Sequence, residues 1–268
     1  MSTIVCKIGG SVIDGVNPTI IDDIKKLRSE GNRVVLVHGG GDQVTSVAEK
    51  MGKKQQFVTS PEGIKSRFTD KETAEIFTMV MSGLLAKQIT KTLQRNGINA
   101  VSLTGVDGRL LSATRKKKLI VVDDRNRKLM IDGGYTGKIN SVNTDLLDNL
   151  LTGGYVPVVS PVAISEEFDL LNVDGDRACS SVSSALNSDA TIFLTDTEGL
   201  IFDGKVVEKL SVTEARESIT RIGPGMNQKV MAAVEAVEMG SKRSIIASGL
   251  KENPIANALS NGGTVITK

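Results

Sequence analysis

Apolar positions along this chain alternate between short unbroken runs and longer stretches of helical spacing. Thr3 to Ile8 is mostly β-branched or apolar, which predicts a buried strand. Asn17-Pro18 then reads as an N-cap with proline at the first helical position, followed by Ile20, Ile21, Ile24 and Leu27 on one face and Gly31 as the stop. Arg33 to Val37 predicts a second strand. After Gly39-Gly40-Gly41, residues Val44, Val47, Ala48 and Met51 recur at helical spacing, and Gly52 suits the position just past a helix end. Residues 53 to 68 show no periodicity and predict a loop. Thr69-Asp70-Lys71-Glu72 matches a capping box ahead of a long helix, Glu75 to Leu93, with Met79, Leu84, Leu85 and Ile89 inward. Ala100 to Leu103 predicts a strand. From Leu110 to Ile131 short apolar runs are separated by charged turns, the pattern of antiparallel hairpins. Further strands are expected at Tyr155 to Val159, Thr191 to Leu194, Ser244 to Ala247 and Thr264 to Ile266. Helices are expected after Asn143, along Ala178 to Leu186, from a second capping box at Ser211 to Glu214, along Asn227 to Met239, and from Asn253-Pro254. This succession predicts an α/β fold, a three-layer α/β/α sandwich around a mainly parallel open sheet with an inserted β-hairpin region.

Composition narrows the function more than the fold. The 268 residues are 40% hydrophobic and 24% charged, enough to bury the core of one large domain or of two lobes. A net charge of +2 gives no overall nucleic-acid-binding balance, so any basic partner surface must be local. No run approaches a membrane span and the chain enters a strand at once, which predicts a cytoplasmic protein with no membrane contact. Cys6 and Cys179 offer neither a disulfide framework nor zinc spacing, and they read as small buried residues. With a single histidine, any Ser-His-Asp triad would rest on His38, and no Gly-x-Ser-x-Gly elbow accompanies it.

Two glycine turns carry the candidate chemistry. Lys7-Ile8-Gly9-Gly10 ends the first strand and His38-Gly39-Gly40-Gly41 ends the second, so the chain twice lets the backbone approach a ligand closely. A lysine inside a buried strand needs a use for its charge, and two backbone cradles with one lysine suggest phosphate. The common phosphate signatures are nevertheless absent. Gly133 to Lys138 is one residue short of a P-loop, and the glycine triplet lacks the third glycine of a dinucleotide fingerprint.

Taken together and in order, Lys7-Ile8-Gly9-Gly10, His38-Gly39-Gly40-Gly41, Arg67 before Thr69, Asn172-Val173-Asp174-Gly175-Asp176, Thr195-Asp196 and Gly225-Met226-Asn227-Gln228-Lys229 resemble the amino-acid kinase family over nearly the whole chain. Within it the acetylglutamate kinase branch is nearest. Neither the Ser-Phe-Gly-His that follows the triplet in isopentenyl phosphate kinases nor the Lys-Phe-Gly-Gly-Thr-Ser opening of aspartokinases is present. Tyr135-Thr136-Gly137-Lys138-Ile139, with a lysine-rich turn twenty residues before it, resembles the archaeal-type kinases of lysine and arginine biosynthesis. Those act on the side-chain carboxylate of α-aminoadipate or glutamate held on a small acidic amino-group carrier protein. A plain N-acetylglutamate kinase, and a non-catalytic nucleotide-binding protein of the same fold, are the alternatives.

The resemblance implies roles residue by residue. Lys7 and Lys229 would reach the transferring phosphoryl from acceptor and nucleotide sides, Asp176 would orient both, and backbone N–H groups of Gly9, Gly10 and Gly40 would donate to its oxygens. Gly39, Gly40, Arg67 and Asn172 would hold the acceptor. Thr195, Asp196, Glu198, Gly199, Ile222, Gly225 and Lys229 would hold ATP, with Mg²⁺ bridging its phosphates and no dedicated protein metal site. It further implies an acceptor-binding and dimer-forming lobe over about 1–165, a nucleotide lobe over about 166–268, and a homodimer, since Lys7 lies too near the start for an N-terminal assembly helix. On the residues alone, Lys7 also fits an edge strand in solvent, Lys229 an exposed lysine, Asp176 an acidic helix start and His38 a structural role. Arg115, Lys116, Lys117 and Lys118, with Arg125, Arg127, Lys128 and Lys138, fit either a solvated hairpin tip or a docking surface for the acidic carrier.

Overall fold

The computed structural model describes residues 1–9, 17–223 and 225–268. Its centre is an eight-stranded sheet in the order β16-β18-β17-β13-β1-β2-β10-β5. These strands are β1 Thr3–Ile8, β2 Arg33–His38, β5 Ala100–Thr104, β10 Val156–Ser160, β13 Ala190–Thr195, β16 Lys209–Ser211, β17 Ser244–Ser248 and β18 Thr264–Thr267. All neighbours are parallel except β17 and β18. Two smaller sheets lie beside it, ordered β12-β11-β6-β9 and β4-β3-β7-β8. They comprise β3 Gln56–Thr59, β4 Lys65–Phe68, β6 Leu111–Arg115, β7 Lys118–Val122, β8 Lys128–Asp132, β9 Gly137–Val142, β11 Val162–Ile164 and β12 Leu170–Asn172. A two-stranded ribbon, β14 Ile201–Phe202 with β15 Lys205–Val206, completes the strands.

The helices are α1 Pro18–Ser29, α2 Gly41–Lys50, α3 Lys71–Thr78, α4 Ala86–Arg95, α5 Thr144–Thr152, α6 Gly175–Ala185, α7 Val212–Ser218, α8 Met226–Glu238 and α9 Pro254–Leu259. They cover both faces of the main sheet, so the expected sandwich with inserted hairpins is the observed one. The two-residue period of β1 sorts its side chains between two cores. Ile4, Cys6 and Ile8 pack with α1 and α4, whereas Val5 lies in the core under α6 and α8. Lys7 shares the face of Val5, and this parity decides which helices it meets. Caps match the expectation at several ends: Asn17 and Asn143 cap α1 and α5, and the Ser211–Glu214 capping box forms. Asp23, buried on α1, accepts from the Ile255 and Ala256 N–H groups at 2.8 and 3.2 Å and so ties α9 to α1.

Three local expectations need correction. Residues 53 to 68 form the hairpin β3–β4 rather than a loop, with Phe57 opposite Arg67 and Val58 opposite Ser66. The pair stands away from the main core, so it lacks the apolar alternation that marks a half-buried strand. The α3 cap is Asp70, which accepts from Thr73 N–H at 2.8 Å, and not a Thr69–Glu72 box. Glu72 pairs instead with Lys53 at 2.7 Å, while Thr69 is buried. The long helix is interrupted by a π-helical stretch, Met79–Leu85, which rotates the following face. Val80, Met81 and Leu85 therefore point inward, and Met79 and Leu84 are 52% and 42% exposed.

Candidate active site

The strand order reverses at β1: β2 lies on one side and β13 on the other. Open α/β sheets bind ligands in the crevice at such a switch point, outside the carboxyl ends of the strands. Lys7, His38 and Thr195 sit at the carboxyl ends of the three strands.

Asp176 occupies the first turn of α6, where the helix dipole favours a carboxylate. Its Oδ1 is 2.8 Å from Lys7 Nζ and its Oδ2 is 3.3 Å from Lys229 Nζ. Close packing of α6 on α8 brings the two lysines to one carboxylate. Ser180 Oγ donates to the Ala232 carbonyl at 2.7 Å and Ser184 Oγ to the Ala236 carbonyl at 3.3 Å, so only small residues separate the helices. Lys7 and Asp176 are both almost fully buried. Burial alone would raise the Asp176 pKa, but the charges of Lys7 and Lys229 outweigh it and hold the carboxyl below its ordinary range. Burial likewise works against the Lys7 ammonium, yet Asp176 holds its pKa above the usual value. Asp174, the α6 N-cap, is reached by solvent but walled in by protein, and that desolvation together with the Asp176 charge pushes its carboxyl up.

The candidate acceptor residues lie on β4, β12 and the glycine turn. Arg67 donates to the Gly41 carbonyl at 2.7 Å and to Thr45 Oγ1 at 2.9 Å, also bonds Gln55, and lies 5.0 Å from the Phe57 ring centroid. Asn172 donates to Thr69 Oγ1 at 2.9 Å, and the Thr69 hydroxyl contacts the Arg67 carbonyl at 3.3 Å. Thr69 thus links the two candidate acceptor residues, a connection the sequence pattern does not reveal. Gly39 Cα and Lys7 Cε both lie about 4 Å from where a Gly175 Cβ would stand, so the glycine turn, α6 and Lys7 converge. Gly40 is the α2 N-cap at φ +141°. Gly9 N–H is turned to the Leu194 carbonyl at 3.3 Å, extending the β1–β13 pairing, whereas Gly10 lies outside the described residues.

On the other side of β1, Thr195 Oγ1 donates to Asp196 Oδ1 at 3.0 Å, and Gly199 at φ +153° packs against Thr264. Glu198 is held by Lys251 at 2.8 Å. Ile222 is half-buried against the α8 core, and Gly225 at φ +92° opens α8 one turn ahead of Lys229. The structure therefore brings Lys7, Asp176 and Lys229 into direct contact and sets the acceptor and nucleotide candidates on opposite flanks of them. Among the described residues no group of three or more His, Cys, Asp or Glu side chains could hold a metal ion.

The basic turn divides on inspection. Arg115 is tied inward: it donates to the Gly134 carbonyl at 2.6 Å, pairs with Asp169 at 3.3 Å and stacks 4.1 Å from the Tyr135 ring centroid. Lys116 is half-buried, and burial, then the nearby Arg177 charge, lower its pKa. Lys117, Lys118, Lys128 and Lys138 are exposed, beside exposed Ile120 and Met130.

The family model described as the amino acid kinase family matches residues 2–248. The chain belongs to that family. A relative from Nitrosopumilus maritimus is 54% identical over 263 residues, covering 98% of each chain. A Sulfolobus acidocaldarius relative named [LysW]-aminoadipate/[LysW]-glutamate kinase is 49% identical over 264 residues, covering 98% of this chain and 99% of its own. Among solved structures, smu.665 from Streptococcus mutans superposes with a TM-score of 0.82 at 24% identity, covering 99% of this chain and 98% of that one, which shows the shared fold. The kinase family accounts for the phosphate-like cradles that match neither a P-loop nor a dinucleotide fingerprint.

Proposed function

We propose that this family member transfers the γ-phosphoryl of ATP to the side-chain carboxylate of α-aminoadipate or glutamate carried, through its α-nitrogen, on a small acidic amino-group carrier protein. The product is an acyl phosphate of lysine or arginine biosynthesis, made in the cytoplasm. The observation that carries this reading is the Lys7–Asp176–Lys229 cluster at the switch point of the sheet, with Lys7 and Asp176 buried and Lys229 partly so. Nucleophile and donor are both anionic, and the transition state spreads charge over the equatorial phosphoryl oxygens, so fixed cations and alignment supply the catalysis. Lys7 and Lys229 are those cations, and Asp176 holds each in place. The names borne by relatives near 50% identity support the carrier-linked acceptor.

In this reading the acceptor is held mainly by residues up to about 165, with Arg67 from that lobe and Asn172 from just beyond it on its free carboxylate and amide, and the rest of the chain holds ATP. Mg²⁺ would enter with ATP and supply charge neutralisation at its phosphates, since the central carboxylate of the site is committed to two lysines. Purified protein with ATP, a carboxylate acceptor and hydroxylamine should yield a hydroxamate. Binding of ATP without its consumption in the presence of carrier-linked acceptors would instead make the chain a nucleotide-binding protein.

The exposed Lys117, Lys118 and Lys138 are the docking surface for the acidic carrier, and Arg115 supports the hairpin from within. Reversing all three to glutamate is expected to raise KM for carrier-linked substrate about tenfold or more and abolish its dependence on ionic strength, with KM for ATP unchanged. Unaltered kinetics would remove these lysines from docking. We also infer a homodimer formed through exposed Met79 and Leu84 beside the edge strand β5. Light scattering should give twice the monomer mass, and a monomer for Leu84→Lys; a monomeric parent protein would contradict it.

A further inference from the structure

His38 is fully buried at the end of β2, and both of its ring nitrogens are engaged. Nδ1 lies 2.8 Å from the Gly39 carbonyl and Nε2 lies 2.9 Å from Ser160 Oγ. Ser160 ends β10, and its hydroxyl is also 3.4 Å from the Met81 carbonyl in the π-helical stretch. Burial pushes the imidazole pKa down to about 4, so the ring is neutral near pH 7 and carries one proton. A carbonyl can only accept, which puts that proton on Nδ1, and the Ser160 O–H then donates to Nε2. The Gly39 carbonyl thereby fixes the tautomer, and Ser160 supplies the donor that its bare Nε2 requires.

We propose that the Gly39 carbonyl, His38 and Ser160 form a positioning chain that fixes the peptide between Gly39 and Gly40 with its N–H aimed at the transferring phosphoryl group. This rests on the phosphotransfer reading of the site. The peptide is planar and trans, so a Gly39 carbonyl drawn to the imidazole sends the Gly40 N–H to the opposite side of the turn. The turn is also held from the helix side. Gly40 has φ +141°, and a Cβ there would collide with Leu85 Cδ1 and lie 3.4 Å from Met81 Sδ. Met81 and Leu85 both belong to the π-helical stretch, a feature found preferentially at functional sites. One irregular turn of helix thus packs on Gly40 directly and contacts its orienting histidine through Ser160. An N–H aimed at developing charge acts only if its direction is fixed in advance, which is what the chain provides. His38 is then a positioning residue and touches no substrate.

Three variants test this. Ser160→Ala removes the donor that supports the Nδ1–H tautomer, His38→Leu removes the whole link, and His38→Asn keeps an N–H directed at the Gly39 carbonyl. The expected kcat losses are roughly tenfold for Ser160→Ala and about 100-fold for His38→Leu, with most of the loss recovered in His38→Asn and KM for ATP unchanged. Equal losses in the leucine and asparagine variants, or losses that simply follow thermal stability, would overturn the proposal. A readout independent of activity comes from the nitrogen spectrum of the single imidazole, whose one pair of resonances needs no assignment. At pH 7 it should show the neutral Nδ1–H tautomer. A neutral Nε2–H ring would refute the positioning chain even in an active kinase, and an Nδ1–H ring in a protein that consumes no ATP would refute only the phosphotransfer reading.

Discussion

Lys7→Ala should lower kcat by about 1,000-fold or more while leaving KM for ATP within about threefold. The asymmetry follows from where Lys7 stands. It projects from the end of β1 to one oxygen of Asp176, while Lys229 reaches the other oxygen from the first turn of α8; in the proposed reading the first lysine faces the acceptor and the second the nucleotide. An ammonium in that place gains most when charge builds on the phosphoryl oxygens between the reactants, so its removal acts on the transition state rather than on ATP binding. Side-chain truncation at a nearly buried site also costs packing, so circular dichroism and thermal unfolding should accompany the kinetics. A loss of kcat below about tenfold in folded protein would place the chemistry away from Lys7.

Asp176→Asn should be as damaging to kcat and more damaging to stability. It removes the counter-charge from a buried ammonium and releases a second one, and breaking such a buried pair from one side costs about 3–5 kcal/mol. Its signature is the sign of the alkaline pH dependence. In the parent protein the folded-state pKa of Lys7 is raised, so its contribution is fully present below about pH 10 and is lost as pH rises through the folded value. Without Asp176 the burial penalty loses its main opponent, the Asp174 charge being a lesser one, and the folded pKa is expected to fall below that of the unfolded chain. The stability gap between variant and parent should therefore narrow between neutral pH and about pH 10, while the alkaline loss from Cys6 and Cys179, whose thiols burial pushes up, is shared by both proteins. Urea unfolding at a series of pH values measures this; parallel curves for the two proteins would show that Asp176 does not bear on Lys7.

The sequence made the site's components legible because each violates a local rule. Lys7 is a charge in an apolar strand, Lys229 a cation near a helix start, and the glycine turns interrupt strands where no tight hairpin follows. Even the face of Lys7 could be read from the two-residue period of its strand. The pairing itself could not, because it depends on α6 packing against α8 through Ser180 and Ser184, more than fifty residues from their partners. The π-helical stretch escaped for a different reason: Met79 and Leu84 fit an α-helical stripe, and nothing in Met79–Leu85 announces the changed winding. Hairpin β3–β4 hid behind polar residues on both faces. His38 looked structural in isolation, since its partner Ser160 lies 122 residues away. The run of basic residues is legible in the sequence, but the inward tie of Arg115 is not, because Asp169, Tyr135 and the Gly134 carbonyl converge on it from later in the chain.

The central claim is that the acceptor carboxylate belongs to an amino acid held on a carrier protein, and hydroxamate formation with matched acceptors tests it most directly. Free N-acetylglutamate, carrier-linked glutamate and carrier-linked α-aminoadipate are compared at equal concentration with saturating ATP. Trapped acyl phosphate from one or both carrier-linked acceptors, with the free acetylated amino acid at background, is the predicted result. Activity on free N-acetylglutamate alone would contradict the account and make the protein an N-acetylglutamate kinase.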